Sequence, residues 1–427
     1  MAPGPVGRSW LRRNLARLGR ALDADAASDR AELRRFLTTW REQDDTRSRR
    51  DLERLKSVEA SLEALSRETG DNQRNLARVR HLFSKQRDLL AHVARRTGID
   101  RRTVETEQRV TERLARLSRS ALPVIVGPWT GEVGFELLYW IPFLQWMRQT
   151  FPFPPERLIV VSRGGVRAWY GHVSDQYEEI FRYVSPADFR AATVDRKKQQ
   201  QVGRFDRGLI KSVMQTRGIR RAHLLHPTVM YSLYNAYWRY ATTVKDLEAH
   251  AKFRMLPPVS PELVTGLGLP DRFVAVRFYF SDCYPDTPDN RAFASRVVEG
   301  LAARGHVVLL NSDIVVDDHR DFAPAQRARV HVLSANMSPE TNLALQAAAI
   351  SRASAFVGTY GGYSYLAPLY GVSSVAFHSR TTFKQHHLEL AHRAFLRLGS
   401  ARLVPVDVRS ADLVGDALAG IVTAPVM

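Results

Sequence analysis

The chain of 427 residues has one cysteine, Cys283, and no apolar run that approaches the ~20 residues of a transmembrane helix. A single cysteine excludes an internal disulfide framework and a cysteine-based zinc site, and it is typical of a reducing compartment. The first 22 residues are too charged for the apolar core of a secretory signal. We therefore expect a cytoplasmic protein.

Acidic residues are few relative to basic ones, since 62 Lys and Arg stand against 44 Asp and Glu and give a net charge of +18. Residues 1–120 hold 28 basic and 18 acidic residues, which is more than half of that excess. Such a surplus attracts nucleic acid, anionic lipid or anionic substrates. No zinc-finger spacing, RNP-like aromatic pattern or convincing helix-turn-helix accompanies it, so we expect no nucleic-acid partner.

Residues 1–120 contain very few prolines or aromatics after Trp40, which predicts a basic helical region. From Leu55 to Val93 apolar residues recur at heptad spacing, with a polar layer near Gly70, and this pattern is typical of a coiled coil. Pairing with a second copy would make the protein a homo-oligomer, most simply a dimer. The alternative is a helical hairpin that packs on its own chain.

A second pattern near the start indicates a basic amphipathic helix. Leucines at 11, 15, 18 and 22 share one helical face, arginines lie largely off it, and Trp10 could anchor the helix at a lipid interface. Such a helix often lies on an anionic membrane, which would make the protein peripheral at the cytoplasmic membrane. A solvated helix end is equally consistent with the pattern.

The composition changes at Ala121, where strand and helix patterns begin to alternate and predict parallel sheets with crossovers. Buried strands are expected at residues 122–127 and 157–162, and residues 195–252 look mostly helical. A linker-like segment, 254–270, precedes a second series. The strands expected there are residues 273–280, 306–311, 330–334, 355–357, 374–377 and 403–406.

The predicted fold class is therefore α/β, with two Rossmann-like lobes after an α-helical coiled-coil segment. We place the N-terminal lobe at residues 121–256 and the C-terminal lobe at residues 257–427. Ser338 should cap, and Pro339 begin, a helix that ends near Ser351. Ligands in such sheets bind beyond the C-terminal strand ends, here between the lobes.

Two glutamates follow the first predicted strand in "GPWTGEVGFELLYWIP" and are candidates for a general base. Spacing of four would put Glu132 and Glu136 on one helical face if the helix began early. Glu136 could instead be a first-turn residue that only complements the helix dipole. That role does not explain why Gly131 and Gly134 frame Glu132.

The second lobe carries the candidate residues for binding a diphosphate. Arg277 ends its first strand, and its planar fork matches phosphate oxygens. A glycine pair in "GTYGGYSYLAPLYG" opens a helix whose first N–H groups can bind an anion. A tight turn and an ordinary ion pair are the plain alternatives. The candidate donor-binding residues are Arg277, Asn311, Ser312, Asp313, Thr359, Tyr360, Gly361, Gly362 and Tyr363.

With these residues the chain from about 121 to 427 resembles bacterial GT-B fold glycosyltransferases, the broad kind that includes heptosyltransferases and fucosyltransferases. The resemblance implies hexosyl or deoxyhexosyl transfer from a nucleotide diphosphate sugar to a hydroxyl of a glycan or glycolipid, with no cofactor. It also implies that the general base is the acidic residue of a "GD" pair, which follows the first strand and precedes a helix that contains a proline. Glu136, six residues before Pro142, matches that register and is our first choice, while Glu132 matches the pair.

The same resemblance implies that the two Rossmann-like lobes are of the GT-B type, with the acceptor side in the N-terminal lobe and the donor side in the C-terminal lobe. It also implies that Arg277 binds the donor diphosphate and that residues 359–363 hold the phosphate end of the nucleotide sugar. Arg163 and Trp169, in "SRGGVRAWYGH", could hold the acceptor. We expect no metal, because no Asp-x-Asp stands in a strand-end loop. We interpret "VVDDHRD" as a solvated loop, although Asp317 could bind a metal or the acceptor.

Two other classes of function remain open at the level of the sequence. One is another transferase on the same two-lobed scaffold, such as a polysaccharide pyruvyltransferase. The other is a non-catalytic coiled-coil scaffold that keeps a nucleotide-binding body.

Overall fold

The computed structural model describes residues 101–194, 199–239, 241–311, 314, 319–324, 327–333, 337–381, 385–399 and 401–411. The predicted heptad seam and the predicted amphipathic helix at residues 10–22 lie outside the described residues. In the described part of the chain, none of the helices combines the length and apolar character that crossing a bilayer requires.

The described chain begins with helix α1, Arg101–Arg119, which packs on the first lobe. Val110, Leu114 and Leu117 are buried in the core that α1 shares with this lobe. The C-terminal end of α1 is closed by Arg157, whose guanidinium donates to the carbonyls of Leu117, Ser118 and Leu122 at 2.9–3.1 Å. These bonds satisfy carbonyls that a helix end leaves without intrahelical partners.

The first lobe is built on a parallel sheet of four strands in the order β3-β2-β1-β4. The strands are β1 Val124–Val126, β2 Leu158–Ser162, β3 Gln176–Glu179 and β4 His223–Leu225. Successive residues of β1 and β2 pack into different apolar clusters on the two faces, as a sheet covered on both sides requires. The strands predicted at 122–127 and 157–162 are confirmed, whereas β3 and β4 were not predicted.

Helices cover both faces of this sheet. A continuous helical segment follows β1, and α4 and α5 pack on the opposite face through Phe189, Leu209 and Val213. The helices are α2 Val133–Phe135, a π-helical turn Glu136–Trp140, α3 Ile141–Thr150, α4 Pro186–Thr193, α5 Arg204–Thr216, α6 Thr228–Trp238 and α7 Val244–Glu248. The residues after 195 are thus largely helical as predicted, with β4 inserted among the helices.

The second lobe has a parallel sheet of six strands in the order β12-β11-β10-β5-β7-β9, and a short antiparallel pair, β6 with β8. The strands are β5 Phe273–Arg277, β6 Tyr279–Phe280, β7 His306–Leu309, β8 Arg320–Asp321, β9 Val330–Val332, β10 Ala355–Thr359, β11 Ser374–His378 and β12 Leu403–Asp407. All six predicted strands are present, although the one predicted at 273–280 divides into β5 and β6, which belong to different sheets. The two parallel α/β lobes confirm the α/β part of the predicted fold class, and the predicted coiled coil lies outside the described residues.

The helices of the second lobe are α8 Pro261–Thr265, α9 Pro288–Arg304, α10 Asn342–Arg352, α11 Gly362–Leu369 and α12 Gln385–Leu398. The predicted start of α10 at Pro339 is wrong by three residues. The Ser338 carbonyl accepts from the amides of Thr341 and Asn342, which makes a turn, and Thr341 is the N-cap. Pro339 therefore lies in the turn before the helix and not in its first turn.

The two lobes contact each other at several places. Gly164 and Gly165, at φ of 75° and 79°, follow β2 in the first lobe and pack against the start of α10. The Ala344 amide donates to the Gly164 carbonyl at 2.9 Å. A side chain on Gly164 would lie 2.7 Å from Cγ of Leu343, so this contact requires glycine.

Candidate active site

The helices that follow β1 and β10, α2 in the first lobe and α11 in the second, start at the same place, where the C-terminal strand ends of both sheets meet. The N-terminus of α2 contacts that of α11, and Gly134 and Gly362 form the contact. A Cβ on Gly362 would lie 2.9 Å from the amide nitrogen of Gly134 and 3.0 Å from Cβ of Val133. Gly134 and Gly362 therefore allow the two lobes to pack closely, and the starts of α2 and α11 form one site.

Glu132 is the N-cap residue of α2 and its side chain is exposed at this junction. Burial raises the pKa of the Tyr231 hydroxyl, and the negative charge of Glu132 raises it further. Glu132 is thus an accessible carboxylate at the first strand-to-helix turn, one residue before the contact with α11.

Glu136 has the opposite environment, with no exposed surface. Its carboxylate accepts from the Ser162 hydroxyl at 2.7 Å and from the Tyr170 hydroxyl at 2.5 Å, and it pairs with Arg163 at 3.5 Å. Burial raises the pKa of Glu136, although Arg163 and the two hydroxyl donors oppose that shift. Enclosed on all sides, this carboxylate has no access for an acceptor hydroxyl in the described structure.

The two candidate acceptor residues, Arg163 and Trp169, are also buried. Arg163 is 6% exposed, and its Nη2 donates to the Gly131 carbonyl at 2.6 Å, which connects the ion pair with Glu136 to the loop that carries Glu132. Trp169 is 1% exposed and belongs to the apolar core. Arg163 therefore holds the loop that carries Glu132 in place through the Gly131 carbonyl.

Arg277 ends β5 and lies among Asp321, Gln346 and Tyr363, of which only Tyr363 was predicted to share a site with it. Its Nε and Nη2 donate to Asp321 at 3.0 Å, its Nη1 donates to Gln346 at 2.5 Å, and its guanidinium carbon lies 4.2 Å from the centre of the Tyr363 ring. Asp321 belongs to "VVDDHRD", so our interpretation of that stretch as a solvated loop is wrong at this residue. The Arg277 fork is held at the start of α11.

The loop between β10 and α11 is held mainly by Tyr279. Its backbone amide and carbonyl both bond the Thr359 hydroxyl, at 3.0 and 2.9 Å, and its own hydroxyl covers Gly361. A Cβ on Gly361 would lie 1.9 Å from that hydroxyl oxygen. Tyr360 is buried and accepts from Tyr365 at 2.7 Å. The side chains of Thr359 and Tyr360 thus make hydrogen bonds inside the protein that hold the loop in place.

The residues after β7 contribute fewer candidates for donor binding than the sequence suggested. Asn311 is buried and its Nδ2 donates to the Phe322 carbonyl at 2.8 Å, which fixes the segment after β8. Ser312 and Asp313 lie outside the described residues. Among the residues that are described, no group of three His, Cys, Asp or Glu side chains could hold a metal ion.

The structure therefore brings Glu132, Arg277, Gly361, Gly362 and Tyr363 to one end of the paired lobes. Sequence reasoning missed Asp321, Gln346 and Tyr279, which hold Arg277 and the glycine loop. It also missed Gln199, whose side-chain amide bonds the Pro128 carbonyl and the Thr130 amide just before Glu132. The contacts of Asp321, Gln346 and Gln199 span 44, 69 and about 70 residues, and no local pattern marks them.

No protein-family model matches the chain, and neither does any curated protein. Solved structures to which it is similar include the glycosyl transferase family 9 protein of Veillonella parvula DSM 2008, at 12% identity and a TM-score of 0.41 over 71% of this chain and 90% of that one. The E. coli heptosyltransferase WaaC with ADP is similar at 14% identity and a TM-score of 0.39, over 70% of this chain and 100% of that one.

A third similar structure is a putative UDP-N-acetylglucosamine 2-epimerase of Listeria monocytogenes, at 11% identity and a TM-score of 0.30, over 71% of this chain and 89% of that one. The strand order of the present chain establishes its two-lobed architecture without them.

Proposed function

We propose that the protein is a glycosyltransferase that moves a hexosyl or deoxyhexosyl group from a nucleotide diphosphate sugar to a hydroxyl of a glycan or glycolipid. The observation that carries the proposal is the position of Glu132, an exposed carboxylate beside the contact between the starts of α2 and α11. The reaction needs a base for the acceptor hydroxyl and, within a few ångströms, positive charge for the departing diphosphate. This junction offers Glu132 as the base, and the start of α11 with Arg277 as the positive charge.

Glu132 is our choice for the general base. It would take the proton of the acceptor hydroxyl as that oxygen attacks the anomeric carbon of the donor. The bond from the anomeric carbon to the diphosphate oxygen would break, and the diphosphate would leave with the bonding electron pair. Glu136, our first choice from the sequence, is less suitable because Ser162, Arg163 and Tyr170 enclose its carboxylate.

The leaving diphosphate would lie at the start of α11, where the helix dipole and Arg277 favour negative charge. Arg277 would exchange part of its pairing with Asp321 for diphosphate oxygens, while Tyr363 keeps the guanidinium plane in place. Because a helix start and an arginine can together stabilise the leaving charge, we propose transfer without a bound metal ion. Activity retained in excess EDTA would support that part of the proposal.

The decisive experiment combines a donor screen with one variant. Wild-type protein, offered a panel of nucleotide sugars, should bind one donor by calorimetry and release its nucleoside diphosphate when acceptor is present. Glu132→Gln should lower turnover by about 10²–10⁴-fold, the usual contribution of a general base, and leave donor affinity unchanged.

Glu340→Gln is the matched control, since Glu340 lies in the second lobe, in the turn before α10. Its turnover should equal that of the wild type. Transfer of a pyruvyl group without nucleotide release, or full turnover of Glu132→Gln, would contradict the proposed reaction or the proposed base respectively.

A further inference from the structure

The positive charge of the two lobes is concentrated in one stretch. Residues 182–221 hold 11 Lys and Arg against three Asp and Glu, whereas the rest of residues 121–427 holds 23 of each kind. This stretch spans α4, α5 and the segments around them in the first lobe. The net charge of residues 121–427 therefore comes from this one part of the lobe.

The elements of the stretch form one outer layer of the lobe. The Phe189 ring of α4 lies 5.3 Å from that of Phe181 and 6.0 Å from that of Phe205 in α5, and all three cover the same face of the sheet. Along α5, residues 204, 207 and 211 fall on one side of the helix, away from buried Leu209 and Val213. The exposed basic side chains of this layer are Arg182, Arg190, Arg204, Arg207, Lys211, Arg220 and Arg221.

These seven side chains, which we call the basic face, have no ion-pair partner among the residues that the structure describes. Arg217, in the same stretch but half-buried, shows the contrast because it pairs with Glu178. Among the described residues of the stretch, the exposed acidic residue is Asp188, which accepts from the Ser185 hydroxyl at 2.6 Å as part of a helix cap. No acidic side chain in the described part of the chain therefore forms an ion pair with the basic face.

We infer that the basic face binds an anionic membrane surface, whatever reaction the cleft performs. Clusters of about four to eight Lys and Arg are sufficient for attraction to anionic lipid, and such attraction needs no shaped pocket. The described residues of 182–221 include no exposed aromatic side chain, so the face offers no platform on which glycans or bases could stack. A helical layer with seven exposed basic side chains fits an anionic lipid surface best.

The test uses the full chain and vesicles of phosphatidylcholine with or without phosphatidylglycerol. A variant with Arg204→Gln, Arg207→Gln, Lys211→Gln and Arg221→Gln removes four charges from the basic face. The control variant removes four exposed charges from the second lobe, with Arg272→Gln, Arg304→Gln, Arg352→Gln and Arg402→Gln. Both variants keep residues 1–120, and their net charges equal each other because each loses four positive charges. Thermal unfolding should confirm that both are folded.

In co-sedimentation at low salt, wild type and control should bind the anionic vesicles about equally. The basic-face variant should bind at least about tenfold more weakly, and its salt dependence should be shallower. Equal weakening of both variants, or of neither, would overturn the inference, as would binding to pure phosphatidylcholine. A loss that appears with heparin but not with vesicles would assign the face to a soluble polyanion and also overturn it.

Discussion

Gly134 and Gly362 lie in contact where α2 of the first lobe and α11 of the second begin, and the contact is asymmetric. A Cβ on Gly362 would meet the Gly134 backbone nitrogen at 2.9 Å, while a Cβ on Gly134 would meet the Tyr365 ring at an ordinary 3.4 Å. The junction of the two lobes at the candidate site thus depends on one glycine more than on the other.

Gly362→Ala should therefore destabilise the protein by about 1–3 kcal/mol, the usual cost of forcing extra volume into packed backbone. Gly134→Ala should cost much less. Urea unfolding would measure both. Gly208→Ala in α5 is the control, because nothing lies within 4 Å of the added Cβ, and it should stabilise the helix by about 0.5–1 kcal/mol. A Gly362→Ala protein as stable as the wild type would mean that the helix starts are not held together.

Replacing Glu136 should lower the stability of the protein, whereas replacing Glu132 should lower its turnover. Glu136→Gln leaves the buried Arg163 guanidinium without its carboxylate, so the free energy of unfolding should fall by roughly 3 kcal/mol. Glu132→Gln, at an exposed position, should change stability by less than about 0.5 kcal/mol while removing turnover. Denaturant unfolding of both variants checks the pair of expectations, and equal stability of the two would show that Glu136 has no structural role.

Replacing Arg277 tests the donor end of the site. Arg277→Ala should weaken binding of the nucleoside diphosphate by about 1.5–3 kcal/mol, the scale of a charged hydrogen bond. Asp321→Asn keeps the guanidinium and removes its competing carboxylate, so this variant should bind at least as tightly as wild type. Calorimetry decides the matter, and unchanged affinity in Arg277→Ala would remove this residue from the donor site.

Glu248 connects α7 of the first lobe to α12 of the second through Arg393 and Arg397, at 2.7–3.0 Å. Burial acts to raise the pKa of Glu248, but the hydrogen bonds and charges of the two arginines outweigh it and hold the pKa below its ordinary value of 4.5. The carboxylate then binds fewer protons folded than unfolded near that pH. Its contribution to stability is complete above pH 4.5 and is lost as the pH falls through the lowered pKa.

Glu248→Gln should accordingly be less stable than wild type at pH 7, and the difference should shrink as the pH falls below 4.5. Thermal unfolding between pH 7 and pH 3 would follow it. A constant difference across that range would show that the ion pair between the lobes does not contribute.

Two deletions test the region before the lobes. A chain beginning at Arg101 keeps α1, whereas one beginning at Ser120 exposes the surface that Val110, Leu114 and Leu117 cover. The shorter chain should lose roughly 5 kcal/mol, because burial of one such side chain contributes about 1.5–3 kcal/mol. Unfolding experiments would show the difference.

The same deletion at Arg101 tests the predicted coiled coil. Light scattering should find the full chain to be a homo-oligomer, most simply a dimer, and the chain that begins at Arg101 to be a monomer. A monomeric full chain at micromolar concentration would favour the intramolecular hairpin instead.

The sequence by itself determined the two-lobed architecture and the helix that opens at Gly362. Buried parallel strands are continuous apolar runs between turn residues, and that signal is local, so the six strands of the parallel sheet in the second lobe could all be predicted. It failed at β3, which is "QYEE", because this polar edge strand is held in place by backbone pairing with one apolar neighbour, β2. It failed at β4 because three residues among helices are too few for a periodicity.

Only the tertiary structure decided which glutamate is exposed beside the contact between α2 and α11. Spacing of four suggested one shared helical face, yet Glu132 has the extended backbone of an N-cap and Glu136 starts a π-helical turn. Glu136 turns towards Ser162 and Arg163 at the end of β2, which lie 26 and 27 residues away in the chain. Arg277 likewise gains its partner from 44 residues away. The exposure of a charged side chain depends on what distant segments pack against it, and local spacing does not encode those contacts.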